Sequence, residues 1–266
     1  VVIGGQTYTP NALLTSATVQ LLDGGRLLVD GKGSAHNLII DSENSAITFE
    51  NLELGNGTLE LDNLSLKNNG KIENITSDYQ DEIHKKGFLE ADEGITETLI
   101  HVSTSGSIAG GDRYGLSLGG SAVEGKQTTL SGGDVLANLY WNFDSDLIYS
   151  ADDKTYSANY SLTKVDVQSG QFALEKTEDT GETATFTAEV SGAGGLLIDA
   201  SGTTVYLGNT ETGAPANSYE GVTTVTEGTN VVLAVDDAMG KTSSLEAKGN
   251  VTLENGVAQK IGGLTG

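Results

Sequence analysis

The sequence predicts an all-β protein, a right-handed parallel β-helix in which short strands wind around a shared apolar interior. Apolar clusters recur about every 20 residues, and no helical segment separates them to act as a crossover between parallel strands. Glycine accounts for 36 of the 266 residues and proline for only 2, so turns are frequent while the composition differs from that of collagen or a disordered linker. Asn-Gly pairs are also hairpin signals, and an antiparallel sandwich therefore remains the alternative fold.

Residues 1–76 form the first predicted ladder of short strands. Each apolar run in it spans three to six residues, and the runs are separated by pairs such as Gly24-Gly25, Asn56-Gly57 and Asn69-Gly70. Glycine and asparagine adopt positive φ at low cost, which suits these pairs to tight turns. One coil of such strands cannot bury enough apolar surface alone, so we expect each coil to be stabilised by stacking on its neighbours.

The middle of the chain divides into a charged loop and a second ladder. Charged residues replace the apolar alternation over residues 79–97, and we expect a solvated loop there with at most one short helical turn. Alternation resumes in a second ladder at residues 98–139, and the C-terminal ladder occupies residues 163–266. The whole chain is thus expected to be a single β-helical fragment from which loops and hairpins protrude.

Residues 140–162 hold the densest group of aromatic side chains. Six aromatic residues fall within 21 positions, and Ala151–Lys154 has the composition of a hairpin tip between strands near 145–150 and 155–162. Tryptophan and tyrosine can stack on sugars or anchor a protein interface, but they can also build the small core of a protruding hairpin. The candidate binding residues are Tyr140, Trp141, Phe143, Tyr149, Tyr156 and Tyr160.

The charge of the chain limits its partners. The 37 acidic and 14 basic residues give a formal net charge of −23, which repels the phosphates of nucleic acids and of anionic lipid surfaces. We therefore expect neither a nucleic-acid site nor a membrane-surface site. The absence of cysteine excludes a disulfide framework and a thiolate metal site. The sequence begins at Val1 without a methionine or a signal sequence, and we expect it to be a piece of a longer chain.

Two stretches are spelled like catalytic motifs, but neither has the surroundings that its chemistry needs. Gly115–Gly119 reads G-x-S-x-G, the spelling of a nucleophile elbow, with Ser117 as the nucleophile. The histidine base follows the serine in that arrangement, whereas all three histidines of this chain precede it. Gly120–Lys126 is close to a phosphate-binding loop, but Gln127 stands where a Ser or Thr should bind Mg²⁺. We therefore predict no catalytic residues.

Carboxylates and histidines give no stronger candidate. Parallel β-helices include polysaccharide lyases and hydrolases that use clustered carboxylates, and Asp152-Asp153 is a possible pair for that chemistry. The pair also has the composition of a solvated turn, and the chain has only two arginines to bind an anionic sugar. His36, His84 and His101 lack the i,i+2 or i,i+4 spacing of metal ligands. We expect no metal and no cofactor, and a β-helical lyase or hydrolase remains the alternative function.

Residues 192–234 contain the most regular pattern in the chain. From Asn217 to Val225, odd-numbered positions share one face of an extended strand and even-numbered positions share the other, mostly polar face. Short strands at Gly195-Leu196, Val205–Leu207 and Thr229–Val235 surround it. The residues predicted to define this structural repeat are Asn217, Tyr219, Gly221, Thr223, Val225 and Gly228.

This stretch resembles the passenger-associated repeat of bacterial autotransporters. That repeat has a Gly-x-Leu-x-Leu segment, then Asn-x-Tyr-x-Gly-x-Thr-x-Val, then a glycine and an apolar pair. Residues 210–216 lengthen the loop before Asn217 relative to the compact form of the family. The matching residues are Gly195, Leu196, Ile198, Asn217, Tyr219, Gly221, Thr223, Val225, Gly228, Val231 and Leu233.

The resemblance implies the passenger of an autotransporter adhesin, exposed on the outer surface of a Gram-negative bacterium or secreted from it. It implies adhesion, autoaggregation or biofilm formation without enzymatic activity, with a copy on another cell, a host glycan or a matrix protein as the partner. It also implies an outer-membrane barrel C-terminal to this segment in the same precursor. A passive stalk that displays an N-terminal effector domain is a third hypothesis.

Overall fold

The structure of the protein, a computed structural model, describes most of the chain from residue 16 onward. Within the described residues the chain forms strands and turns but no helix, which confirms the all-β prediction. The described ranges are 2–3, 6–7, 16–50, 58–74, 88–89, 95–109, 123–128, 135–178 and 180–266. The chain divides into two compact units. The first comprises Val1–Glu82, Ile95–Gly119 and Ser145–Tyr160, and the second comprises Ile83–Gly94, Gly120–Asp144 and Ser161–Gly266.

The first unit contains two stacks of parallel strands. In its described part the strands are β1 (Val2–Ile3), β2 (Gln6–Thr7), β3 (Thr18–Leu21), β4 (Arg26–Asp30), β5 (Gly33–Asp41), β6 (Ala46–Glu50), β7 (Leu59–Lys67), β8 (Lys71–Asn74) and β9 (Ile95–Ala109). One stack has the order β3-β5-β7-β9 and the other has the order β4-β6-β8, with β1 added antiparallel to β4. From β3 to β9 the chain passes from one stack to the other at each successive strand.

Register within the first stack of this unit repeats at similar intervals. Thr18 pairs with Asn37 and Asn37 pairs with Asn63, which gives steps of 19 and 26 residues. The parallel pairing argues against the antiparallel sandwich for these strands. Antiparallel pairing does occur between β9 and residues Thr155–Tyr160.

The strands β5 and β7 are nine residues long, longer than the three to six residues predicted, because each contains a change of phase. Buried and outward positions alternate until His36-Asn37 in β5 and Asp62-Asn63 in β7, where two consecutive residues face outward before burial resumes. Each long strand thus consists of two short alternating segments that meet at a pair of consecutive outward residues. Inward side chains such as Leu38 on β5 and Leu64 on β7 are 1% exposed and form the core of this unit.

The second unit also contains two parallel stacks. Two strands belong to both units, because residues 145–160 are part of the first unit; they are β11 (Val135–Ser150) and β12 (Thr155–Glu175). The remaining strands are β10 (Val123–Thr128), β13 (Thr183–Phe186), β14 (Glu189–Ser191), β15 (Gly195–Asp199), β16 (Thr204–Leu207), β17 (Thr223–Val225), β18 (Asn230–Leu233), β19 (Leu245–Ala247), β20 (Asn250–Leu253) and β21 (Leu264–Thr265). The end of β12 pairs parallel with β15, which begins the stack β15-β17-β19-β21, and the other stack is β13-β16-β18-β20. From β15 to β21 successive strands again alternate between the stacks.

The lengthened loop of the repeat is visible as a change in interval. Leu196 pairs with Thr223, Thr223 with Leu245, and Leu245 with Leu264, so the steps are 27, 22 and 19 residues. Residues 210–216, which lengthen the loop in the sequence, fall within the longest of these steps. The stack therefore accommodates a longer loop at its surface without a change in the parallel register.

Three predictions about element boundaries differ from the structure. The strand expected from Asn217 to Val225 is confined to Thr223–Val225, although the N–H groups of Ser218 and Gly221 before it still donate to backbone carbonyls of the preceding turn of chain. The hairpin strands near 145–150 and 155–162 belong to β11 and β12, which are 16 and 21 residues long. The predicted loop 79–97 falls mostly outside the described residues, but its last three residues already belong to β9.

Candidate functional site

The six candidate aromatic residues are divided between the two units. Tyr140 and Trp141 belong to the second unit, whereas Tyr149 and Tyr156 belong to the first. The side chains of the other two lie outside the described part of the structure, although their backbone lies in β11 and β12. These two residues are Phe143 and Tyr160.

Trp141 is a core residue of the second unit. Only 3% of it is exposed, and its ring meets that of Phe88 edge-on with the centroids 5.2 Å apart. The Phe88 ring contacts Phe172 at 4.9 Å, and Phe172 contacts Phe186 at 5.8 Å. The two contacts of Phe88 are edge-to-face pairs, which stabilise an aromatic core. The indole ring of Trp141 therefore packs inside the protein and is closed to a ligand.

Phe88 is the residue of this cluster that sequence reasoning missed. Phe88 and Leu89 are fully buried, so the prediction of a solvated loop over residues 79–97 is wrong at these two positions. Their signal in the sequence is a single apolar pair among charged residues, and it has no periodicity. A buried pair of this kind becomes recognisable only when its packing partners, which follow more than 50 residues later, are known.

In the first unit, Tyr149 and Tyr156 form a stacked pair. Their ring centroids are 4.9 Å apart with an interplanar angle of 30°. Tyr156 is 2% exposed and belongs to the core, whereas Tyr149 is partly exposed. Tyr140 in the second unit is 37% exposed. Of the candidate aromatic residues with described side chains, Tyr140 and Tyr149 are accessible to a partner.

The carboxylates Asp152 and Asp153 lie in the turn 151–154, between β11 and β12. Both are exposed. The hydroxyl of Ser150 donates to a carboxylate oxygen of Asp153 at 2.9 Å and accepts a hydrogen bond from the Asp153 backbone N–H at 3.2 Å. This is the local geometry of a hydrogen-bonded turn, in which both acidic side chains are exposed to solvent.

Within the described residues, the serine motif, the phosphate-loop motif and the histidines form no catalytic arrangement. Ser117 and His84 lie outside them, and Val123–Thr128 is a strand paired antiparallel with β11 where a phosphate-binding loop would begin a helix. His101 pairs with Glu60 at 2.6 Å, and His36 pairs with Asp62. Among the described residues no group of three or more His, Asp and Glu side chains is placed to hold a metal ion.

Asn217 of the repeat binds the chain on both sides of it. Its side-chain oxygen accepts a hydrogen bond from the Val190 N–H at 2.7 Å, and its side-chain nitrogen donates to the Ala238 carbonyl at 2.6 Å. These partners lie 27 residues before and 21 residues after Asn217. One amide side chain therefore links three successive turns of the polypeptide.

Tyr219 lies at the centre of the repeat and is fully buried. Its hydroxyl is 2.8 Å from the hydroxyl of Thr223, which donates to Thr242 at 3.0 Å. Burial raises the pKa of the Tyr219 phenol, and its hydrogen bond with Thr223 opposes part of that shift. The phenol is thus held neutral inside the unit, where its only polar atom has a partner.

Gly221 is required by a close approach of the backbone, and Gly228 is favoured by its positive φ. A Cβ atom at Gly221 would lie 2.4 Å from the carbonyl carbon of Gly194 and 2.5 Å from the nitrogen of Gly195. Gly228 has φ +80° and a Cβ there would lie 2.4 Å from the Ser201 hydroxyl. The other two residues of the pattern, Thr223 and Val225, are fully buried in β17. The six repeat residues are therefore brought together as one interlocking structural element.

Polar side chains form rows across the parallel strands. In the first unit, Asn37 donates to Thr18 at 2.9 Å, Asn63 donates to Asn37 at 2.8 Å, and the Ser107 N–H donates to Asn63 at 2.9 Å. A shorter row in the second unit joins two exposed asparagines of β18 and β20 at 2.8 Å. In-register polar rows of this kind link neighbouring strands and leave a polar lateral face.

A surface cleft of about 640 Å³ adjoins the repeat in the second unit. Lys241 and Lys260 lie on it, together with Asn217 and the backbone of neighbouring turns. A second cleft, of about 610 Å³, lies beneath the lengthened loop and is lined by Ser161, Thr163 and Thr187 among others. Both volumes fall in the range of small-molecule sites. No helix in the described residues has the length and apolar character required to cross a membrane.

Comparisons with known proteins place this chain near one bacterial sequence. It is 27% identical over 274 residues to the uncharacterized protein YuaQ of Escherichia coli strain K12, an alignment that covers 95% of this chain. The alignment covers 19% of YuaQ, so the chain spans about a fifth of the length of that relative. No family model matches the sequence. No solved structure matches it either.

Proposed function

We propose that the parallel stacks are coils of a right-handed β-helix and that this chain is part of the passenger of an autotransporter adhesin. The alternation of successive strands between two parallel stacks, in each unit, supports the β-helix. Steps of 19 to 27 residues between paired strands suit coils of this type. The similar sequence in Escherichia coli supports a bacterial origin.

The observation that carries the proposal is the interlocking of the repeat residues. The resemblance to the passenger-associated repeat rests on Asn217, Tyr219 and Gly221, and these are the residues that hold adjacent turns of chain together. A pattern whose residues make contacts between coils is expected in an extended secreted stack that has to fold outside the cell. The repeat is therefore a structural marker of a passenger, and ligand binding is assigned to other surfaces.

The binding mode proposed is a set of many weak polar contacts along the lateral face. The rows of Asn, Thr and Ser side chains supply donors and acceptors, and Tyr140 and Tyr149 supply accessible aromatic rings. The partner is a copy of the protein on another cell, a host glycan or a matrix protein. Because each chain carries a net charge of −23, contacts between copies should tighten as added salt screens their repulsion.

The test is to display the chain on a non-aggregating bacterium and to measure cell aggregation and binding to arrays of glycans and matrix proteins. Salt-enhanced aggregation or saturable binding is expected, and Tyr140→Ala and Tyr149→Ala should weaken it. Tyr206→Ala, which removes a partly exposed tyrosine from β16, is the matched control. Failure to aggregate or bind in any salt or pH condition would refute adhesion through this segment.

One outcome of the same glycan panel would favour the alternative enzyme. Turnover of an acidic or neutral polysaccharide, lost when Asp152 and Asp153 are both replaced by Ala, would identify a lyase or hydrolase in place of an adhesin. An exposed, Ser150-capped turn predicts no such loss.

A further inference from the structure

The cleft beneath the lengthened loop, of about 610 Å³, is formed by three segments of the second unit. Residues 161–163 contribute from β12, residues 187–189 from the start of β14 and the turn before it, and residues 209–215 from the loop. All three segments belong to one compact unit, and described chain precedes and follows each of them. The cleft is therefore built from interior segments of the sequence.

Glu189 supplies a fixed carboxylate in the wall of this cleft. It stands opposite Lys164 in the parallel pairing of β12 with β14, and the Lys164 ammonium donates to one of its carboxylate oxygens at 2.8 Å. Only 17% of the Glu189 side chain is exposed. The ion pair holds the carboxylate in place and compensates its charge. It occupies one oxygen, which leaves the second to accept hydrogen bonds from a ligand.

Two further side chains of the lining add hydrogen-bond acceptors. The hydroxyl of Thr163 donates to the Asn142 carbonyl at 3.1 Å, so its proton is already used and its oxygen is left as an acceptor. Glu211 lies on the loop side of the cleft, and its exposed carboxylate can only accept while it is ionised. A ligand that satisfies these groups must therefore supply hydrogen-bond donors.

The composition of the lining selects the class of ligand. No Lys or Arg is among the described residues that line the cleft, so it offers no countercharge to a phosphate, sulfate or carboxylate, and the net charge of −23 repels such groups. Lys164 already compensates the charge of Glu189, which reduces the attraction for a second cation. Neutral hydroxyl groups are the donors that remain. Ala214 and Pro215 add apolar surface that can contact the C–H groups of a sugar ring.

We propose that this cleft binds a neutral saccharide whose hydroxyl groups donate to Glu189 and Thr163. The lengthened loop forms the opposite wall, which gives a role to the extra residues in the step of 27 between Leu196 and Thr223. None of the side chains proposed for the adhesive face lines this cleft. The inference therefore goes beyond the proposed function and is tested separately from it.

NMR titration of the isotope-labelled chain with neutral disaccharides tests the site. The probes are maltose, cellobiose, lactose and N,N′-diacetylchitobiose. At least one of them should shift the amide resonances of segments 161–163, 187–189 and 209–214 in a saturable manner. The absence of saturable shifts in these segments with every probe would overturn the proposal.

Two substitutions in the wall of the cleft sharpen the test. Glu189→Ala removes the fixed acceptor, and Thr163→Val removes the hydroxyl but keeps the shape of the side chain; each should weaken saccharide binding by about tenfold or more. Glu182→Ala is the matched control, because Glu182 is an exposed glutamate of the same unit that does not line the cleft. Circular dichroism checks the fold, and if one variant is misfolded the other still provides the test. Full binding by a folded Glu189→Ala or Thr163→Val variant would contradict the proposed contacts.

Salt dependence separates a neutral saccharide from a cationic ligand. The affinity for the neutral probe should change by less than about twofold between about 50 and 500 mM salt, because no net charge is screened. Spermidine is the cationic probe, and saturable shifts of the same amides by spermidine but by none of the sugars would overturn the proposal in favour of a cation site. Loss of saccharide binding in Glu189→Ala with cell adhesion intact would support a separate site and leave the adhesive proposal standing.

Discussion

The phenol oxygen of Tyr219 lies 2.8 Å from the hydroxyl of Thr223, and both side chains are fully buried. Thr223 donates to Thr242, and Thr242 donates to the Gly221 carbonyl at 2.8 Å. This chain of hydroxyls joins two successive turns of polypeptide inside the second unit. It also satisfies polar atoms that would be costly to bury alone.

The first prediction concerns the hydroxyl of Tyr219. Tyr219→Phe keeps the ring but removes a buried hydrogen bond, and it should lower the free energy of unfolding by about 1–2 kcal/mol. Urea denaturation followed by circular dichroism measures the change. Tyr206→Phe, at a partly exposed position of β16, should change it by less than about 0.5 kcal/mol. Equal effects of the two substitutions would contradict a role for the buried hydroxyl.

The second prediction concerns alkaline pH. Burial raises the pKa of Tyr219 above its ordinary value, so this phenol deprotonates more readily in the unfolded chain than in the folded one. Its contribution to stability should be constant below pH about 10 and should then decrease by up to about 1.4 kcal/mol per pH unit. Unfolding free energies measured from pH 8 to 11 should fall less steeply for Tyr219→Phe than for wild type. Parallel curves would show that Tyr219 is not the group responsible.

The third prediction concerns Asn217. Asn217→Ala leaves the Val190 N–H and the Ala238 carbonyl without their side-chain partner, and it should destabilise the protein by about 2–4 kcal/mol. Asn209→Ala is the control, because the hydrogen bond that Asn209 accepts from the Glu211 N–H lies within its own surface loop. Urea midpoints of the two variants should therefore differ clearly, and coincident midpoints would rule out the link between turns.

The fourth prediction concerns Gly221. Gly221→Ala places a Cβ within 2.4 Å of the backbone of Gly194, and the required displacement should cost about 2 kcal/mol or more. Gly256→Ala provides the comparison, since Gly256 has φ +89° but no atom within 4 Å of the position that a Cβ would take. Gly256→Ala should lower the free energy of unfolding by about 1 kcal/mol, because only its left-handed backbone disfavours alanine. Thermal unfolding of both variants measures the difference, and a smaller loss at Gly221 would contradict it.

The sequence predicts the short strands of the second unit well because each is a local pattern. The strands at Gly195–Asp199, Thr204–Leu207 and Asn230–Leu233 are confirmed, since two or three alternating apolar residues between glycines suffice to define them. The length of β11 and β12 could not be read in the same way. Their pairing depends on partners distant in sequence, and propensity alone does not tell where a strand stops.

The sequence predicts only in part which aromatic residues are accessible and which are buried. Tyr140 and Trp141 are consecutive in β11, so alternation places them on opposite faces, but it does not say which face is inward. The inward residue is Trp141, which packs on Phe88, and Phe88 comes from a stretch predicted as solvated. The hydrogen bonds of Asn217 likewise could not be predicted from the sequence, because their partners lie 27 and 21 positions away.

The parallel stacks have a mechanical consequence. Main-chain hydrogen bonds in a parallel sheet run between strands, along the direction in which the strands stack. Tension in that direction on β13-β16-β18-β20 would load one junction at a time, and each junction has four paired residues. The hydrogen bonds of these junctions should therefore break one junction after another, at low force. Asn217 forms hydrogen bonds with both neighbouring turns of chain. A higher force should therefore be needed to separate the strands at the repeat.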